Sequence, residues 1–272
     1  MRTLRIPPGI APALVAVLLT AGCATLAPEV DQPDTTSGIT TEQDEDFGTV
    51  EVYSVTDEGT LDPDAQGLTA EVWDTFTRVT TIDFAAEVMT QYRVGDAPDS
   101  DTLAYVYQDD DPEYWVLAAN LATSEDPTQL IATLIHEYAH ILTLDTTEVV
   151  PGHSCPGLLL DEGCATEVSM IQAFTDQFWT QYGDAAPDAT NSDSDVAYDF
   201  YLEHEDDFVS DYAATNVVED IAESFMTFVL EDEPSGDSVV AQKLLFFWGY
   251  PQMVVIRERI RAEFTDDLGL AN

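Results

Sequence analysis

Apolar residues recur along this chain with two periods, and the change from one to the other divides it. Leu68, Val72, Trp73, Phe76 and Val79 fall on one face at helical spacing and predict a helix over residues 68–80. Short runs follow at 88–94 (Val88, Tyr92, Val94) and 102–108 (Leu103, Tyr105, Val106), with turn residues from Gly95 to Ser100 between them, and these predict strands. Asp109-Asp110-Asp111-Pro112 is a further turn before a third strand, Tyr114 to Ala119. From Pro127 onward the period is helical. Asp126 supplies a cap and Pro127 the first helical position. Leu130, Ile131, Leu134, Ile135, Tyr138, Ile141 and Leu142 then form a wide apolar face that runs to Leu144. Later helices are predicted at 165–182, 216–231, 237–247 and 251–263, with Phe174, Phe178 and Trp179 as core residues at helical spacing. Strands first and helices afterwards predict an α+β fold: a small N-terminal mixed sheet, then a mainly helical part, with the helix from Pro127 between them.

The N-terminal region lacks these periods. Arg2 and Arg5 precede a mostly apolar stretch from Ile10 to Leu19, too short for a comfortable membrane span, and the segment reads as an export signal over residues 1–22. Leu19-Thr20-Ala21-Gly22-Cys23 resembles the bacterial lipobox, with Thr20 where leucine is usual. That resemblance implies lipid attachment at Cys23, a membrane anchor and a place on the outer face of the cell; the alternative is an ordinary cleaved signal and release into the medium. Residues 23–48, rich in Pro, Asp, Glu, Thr and Ser, read as an acidic tether. Ordered structure is expected from near Val50, which gives one domain over 49–264 and a short tail over 265–272.

Charge narrows the partners. The 272 residues carry 53 Asp and Glu against 8 Lys and Arg, a formal net charge of −45, and Lys243 is the only lysine. Nucleic acid and anionic lipid surfaces repel such a chain. The charge reads as a solvated coat that favours a salty medium, where self-repulsion is screened, and a monomer is the expected state. The run Asp109–Asp111 reads as a solvated turn; calcium is the alternative occupant. With Cys23 assigned to a lipid, Cys155 and Cys164 remain as a pair, and in an exported chain a disulfide is the default, contributing about 2–3 kcal/mol. They could instead bind zinc, although no CxxC spacing supports it.

The chemistry is concentrated in His136-Glu137-Tyr138-Ala139-His140, an HExxH pattern inside the predicted central helix. Residues four apart share a helix face, so both imidazoles can reach one zinc ion, while Glu137 beside the first ligand can act as general base toward a water without ligating the metal. A catalytic zinc takes a third protein ligand and keeps one position open. Two carboxylates compete for that role. Glu162 lies in Leu159-Leu160-Asp161-Glu162-Gly163-Cys164-Ala165, which resembles the Asn-Glu-Gly-Phe-Ala ligand segment of the membrane alanyl aminopeptidases. Glu219 lies in the stretch Tyr212–Phe225. Its tyrosine, its asparagine and its Glu-x-x-Ala-Glu-x-Phe, at matching spacing, resemble the catalytic domain of anthrax lethal factor and related bacterial zinc peptidases of the glutamate-zincin group. That resemblance implies a zincin-like fold over roughly residues 86–264. It makes Glu219 the third ligand, Glu223 a carboxylate orienting an imidazole, and Tyr212 a donor to the oxyanion of the tetrahedral intermediate. Asn216-x-x-Glu219 also has the form of a capping box, which competes for the same carboxylate. His153 and His204 match no ligand of that family and read as surface or loop residues.

The expected protein is a zinc peptidase with one zinc per chain, acting outside the cell on peptides that add as a strand along a sheet edge at Tyr114 to Ala119. The alternatives are a non-catalytic zinc-binding surface lipoprotein and a secreted toxin-like effector.

Overall fold

The computed structural model describes residues 38–269. The signal segment, Cys23 and most of the predicted tether therefore lie outside the described residues. In chain order, strands β1 (Thr40–Asp44), β2 (Gly48–Val55) and β3 (Leu61–Asp62) precede helices α1 (Leu68–Thr80) and α2 (Ile82–Val88). Strands β4 (Met89–Gly95), β5 (Ala104–Gln108) and β6 (Trp115–Asn120) complete the sheet before the central helix α3 (Pro127–Leu144). A small hairpin, β7 (Val149–Val150) and β8 (Cys164–Ala165), follows. The remaining helices are α4 (Met170–Phe174), α5 (Ser194–His204), α6 (Val217–Leu230), α7 (Val239–Trp248) and α8 (Pro251–Glu263). The fold is α+β, as the order of periods predicts. No single helix among the described residues is long and apolar enough to cross a membrane.

The six-stranded sheet has the order β1-β2-β4-β6-β5, with β3 added to β2. Only β4 and β6 run parallel; the other pairs are antiparallel. The parallel step is made possible by the chain leaving β4, forming the outer strand β5 and returning through β6. One apolar core joins sheet and helices: Tyr92, Leu117 and Trp115 from the sheet, Phe76 from α1, Leu134 and Ile135 from α3, and Phe225 from α6 are all nearly inaccessible. Asp126 Oδ1 accepts from the backbone N–H groups of Thr128 and Gln129 (2.9 and 3.1 Å), so α3 starts where the sequence places its cap.

Three expectations need correction. The domain begins before residue 49: β1, inside the predicted tether, pairs along its whole length with β2. Its sequence Thr-Thr-Glu-Gln-Asp has no buried side chain, so hydropathy carries no trace of a strand held by backbone pairing and by polar contacts such as Glu42 with Arg93 and Gln43 with Thr49. Asp44 closes the turn by accepting from the N–H groups of Asp46 and Phe47, both at 2.9 Å. The second correction concerns the sheet edge. Tyr114 to Ala119 does not supply one; β6 is buried along its whole length between β4 and β5, and among the described residues the sheet edge beside α3 is β5. A run that is apolar on both faces marks an interior strand. The predicted helix over 165–182 is also broken, into α4, a π-helical turn over Thr175–Trp179 and a 3-10 segment over Thr180–Ala185.

The basic residues of the described chain are spent on internal contacts. Arg78 pairs with Glu263 and Asp267, Arg93 with Glu42, and Arg261 with Asp232. Arg257 and Arg259 donate to backbone carbonyls, and Lys243 is buried. The remaining acidic surface has little local compensation, and screening shortens the reach of its repulsion from about 30 Å at 0.01 M salt to about 3 Å at 1 M. The thermal midpoint is therefore expected to rise as sodium chloride goes from 0.01 to 1 M; a scanning-calorimetry series with a flat or falling midpoint would contradict this.

Candidate metal centre

The site forms where α3 and α6 cross beneath β5. His136 and His140, one helical turn apart on α3, turn their rings to the same side, with ring centroids 4.7 Å apart and Nε2 atoms 3.0 Å apart. Glu219, in the first turn of α6, brings Oε2 to 3.1 Å from His136 Nε2 and 3.5 Å from His140 Nε2. These three residues converge closely enough to hold a metal ion. Asn216 makes that reach possible. Its Oδ1 accepts from the N–H groups of Val218 and Glu219 (2.7 and 2.9 Å), so the helix is capped from the asparagine side alone and the Glu219 carboxylate is left for the histidines.

One turn further along α6, Glu223 Oε1 lies 2.8 Å from His136 Nδ1. A carboxylate there fixes Nδ1 as the protonated nitrogen and turns the Nε2 lone pair toward the cluster. Glu223 is steadied in turn by Ser210, whose hydroxyl donates to Oε2 at 2.6 Å and accepts from the Ala213 N–H at 3.1 Å. Ser210 has no signature in the sequence beyond standing two residues before Tyr212, and sequence reasoning missed it. His140 has no corresponding support: its Nδ1 is buried without a hydrogen-bond partner among the described residues.

The electrostatics follow from crowding these groups in a buried place. Burial lowers the His136 pKa, but its hydrogen bonds to Glu219 and Glu223 outweigh that and raise it well above the ordinary value. Burial opposes the Glu219 carboxylate, yet the charges and hydrogen bonds of His140 and His136 prevail and hold its pKa below the usual range. A cluster that binds a proton this firmly gives it up when a cation enters. Glu137 points elsewhere. Its Oε2 accepts from the Val106 N–H of β5 at 3.0 Å, which holds the carboxylate beside the histidines without joining them. Burial pushes its pKa up to about 7, with His136 and His140 pulling the other way.

No family model matches this chain, and no curated protein or solved structure matches it either.

A cavity of about 400 Å³ opens over the cluster. His136, Glu137, His140 and Glu219 line its floor, Ala104 to Val106 one wall, and residues 189–192 another. Asn191 and Asn216 bond each other's loops: Asn216 Nδ2 donates to the Asn191 carbonyl and Asn191 Nδ2 to the Thr215 carbonyl, both at 3.0 Å. That pair of bonds fastens the 189–192 wall to the start of α6. Tyr212 stands at the mouth with 53% of its surface exposed, its ring centroid 5.9 Å from that of His136. Burial of its hydroxyl and the nearby carboxylates of Glu219 and Glu137 push its pKa upward, so the group stays a proton donor.

Glu162 lies in the same cavity wall but outside the metal-binding cluster. It is carried on the turn before β8, clipped by the disulfide between Cys155 and Cys164 (Cα–Cα 5.5 Å). The clip settles the pairing of those cysteines. Gly163 adopts φ +139° there, and a Cβ would run into the Val150 carbonyl, so the turn requires glycine. Burial raises the Glu162 pKa. His153 is exposed two residues before the clipped loop begins at Cys155, and His204 packs against Tyr182 and Phe200 at centroid distances of 4.8 Å; neither reaches the cluster.

Proposed function

We propose that this protein is a zinc-dependent peptidase with a zincin-like domain, in which His136, His140 and Glu219 hold the metal, Glu137 is the general base and Tyr212 an oxyanion donor. The observation that carries the reading is the convergence of the two Nε2 atoms and Glu219 Oε2 at 3.0, 3.1 and 3.5 Å, with Glu137 alongside and uncommitted to the cluster. Tetrahedral zinc with bonds of about 2.0–2.2 Å separates neighbouring ligand atoms by about 3.3–3.6 Å, and two imidazoles with one carboxylate are a common catalytic zinc set. The tautomer that Glu223 imposes on His136 suits the same ion.

Zinc, when bound, supplies Lewis acidity toward the scissile carbonyl and toward water. The chain supplies the rest. Glu137, with a pKa near neutrality, takes a proton from the attacking water and returns it to the leaving amine. The Tyr212 hydroxyl donates to the oxygen on which charge develops. The edge of β5, whose Val106 N–H already faces Glu137, offers an extended peptide a strand to pair with. The lipobox-like segment extends the proposal to an anchored enzyme on the outer face of the cell, and mass spectrometry of the mature N-terminus decides it: a diacylglyceryl modification on Cys23 supports the anchor, and an unmodified N-terminus elsewhere removes it.

The direct test is hydrolysis of a peptide library by the purified protein. Activity should vanish with a chelator and return with zinc; a chelator-insensitive or absent activity argues for the non-catalytic zinc-binding lipoprotein or another chemistry. Tyr212→Phe should retain zinc and slow turnover on the order of 10–10³-fold, with little change in KM. Turnover equal to wild type would remove Tyr212 from the mechanism.

A further inference from the structure

Beside Glu219 on α6 lies a charge with no part in the proposed chemistry. Asp220 is fully buried and pairs with Lys243, also fully buried, at 2.7 Å. Lys243 is the only lysine in a chain of net charge −45. A buried ion pair contributes little to stability, because desolvating the two charges offsets their attraction, and apolar replacements of similar volume are often neutral or stabilising. The reason for this pair is better sought in what it holds in place.

It holds three elements. Consecutive residues on a helix point about 100° apart, so Asp220 faces the core while Glu219 faces the cavity. Pinning one sets the rotation of the other. The Asp220 carboxylate also accepts from the Trp179 indole N–H at 2.8 Å and from the Ser224 hydroxyl at 3.3 Å. Lys243, on α7, donates a second bond to the Asp207 carbonyl at 2.7 Å, and its Nζ lies 3.9 Å from the Phe208 ring centroid. That backbone leads directly into Ser210, which holds Glu223, and then into Tyr212. One ion pair thus ties α6, α7 and the segment before Tyr212 together at a single point behind the metal cluster.

We infer that Asp220 and Lys243 are positioning residues for the metal centre: their pair fixes the rotation of α6 and the backbone before Ser210, and through them the placement of Glu219 and Glu223 against His136. The inference rests on the zinc reading above, and its test separates the two. The full chain carrying Asp220→Leu with Lys243→Met removes both charges and leaves none unpaired. It should still melt cooperatively, because exchanging the pair for apolar side chains costs little in itself, with the midpoint lowered by the Trp179 N–H, the Ser224 hydroxyl and the Asp207 carbonyl that lose their partners. Its zinc affinity, measured by chelator competition, should fall by about 10–100-fold, the range seen when groups supporting a ligand are lost. In the zinc-free protein, the imidazole N–H resonance of His136, protected by Glu223 in wild type, should shift and broaden. A folded double variant with wild-type zinc affinity and an unchanged His136 resonance overturns the inference and leaves the pair as a fold element.

If the double variant fails to melt cooperatively, Trp179→Phe decides. It keeps the ion pair and removes only the indole donor to Asp220; zinc affinity should fall several-fold and the His136 resonance should move, and the absence of both changes overturns the inference. If the wild-type chain binds no zinc, the zinc reading fails, while the His136 resonance in the zinc-free variants still decides the positioning role.

Discussion

Glu137→Gln should bind zinc as wild type does and hydrolyse peptides roughly 10²–10⁴-fold more slowly. The substitution keeps the shape of the side chain and removes its ability to take a proton. Zinc binding should persist because Glu137 is outside the converging cluster, its Oε2 engaged by the Val106 N–H rather than by the histidines. The amide oxygen of glutamine can accept the same bond, so the wall formed by β5 should remain in place. Zinc titration by calorimetry beside kcat measurements on one peptide checks both halves. Loss of zinc together with activity would make Glu137 a ligand, and retained activity would remove it as the base.

Glu219→Ala should weaken zinc binding by more than the about 10–100-fold that loss of a supporting group costs, because it deletes a charged ligand and leaves two imidazoles. Glu223→Ala should fall within that range, since it frees the His136 ring without removing a ligand atom. Glu162→Ala should leave zinc affinity within a few-fold of wild type: its carboxylate is in the cavity wall on the clipped hairpin, outside the cluster. Chelator competition across the three variants orders them. If Glu162→Ala strips the metal and Glu219→Ala keeps it, the ligand role moves to the hairpin, and the ground for giving Tyr212 a place in the chemistry goes with it.

The parts of this arrangement that could be read from sequence are those where one face of a long element is buried. The eighteen residues of α3 show its apolar face and its paired histidines, and Asp126 just before them shows its cap, so its boundaries and the placing of both histidines on one face were legible. The same holds for α6, whose buried residues Ile221, Phe225 and Phe228 recur at helical spacing. What the spacing could not decide was which distant carboxylate meets the histidines. That depends on α6 crossing α3, a long-range packing result, and both Glu162 and Glu219 end up in one cavity with only Glu219 in contact.

Elements with little buried surface left no pattern. The strand β1 has none, and α5 buries only Ala197 and Phe200 while Val196, Tyr198 and Leu202 stay exposed, so its apolar residues do not mark one face. The edge of the sheet escapes the pattern for the opposite reason: β6 is apolar on both sides, and an uninterrupted apolar run marks burial, not availability. Ser210 and the Asp220–Lys243 pair were invisible because a hydroxyl or a charge acquires its meaning from partners far along the chain.

Crystallography of the zinc-loaded protein, with anomalous scattering recorded above and below the zinc edge, tests the central claim most directly. One anomalous peak per chain is expected, bonded at about 2.0–2.2 Å to Nε2 of His136, Nε2 of His140 and Oε2 of Glu219, with Glu137 close by but not bonded. A peak held by other residues, or none at this cluster in crystals grown with excess zinc, would contradict it.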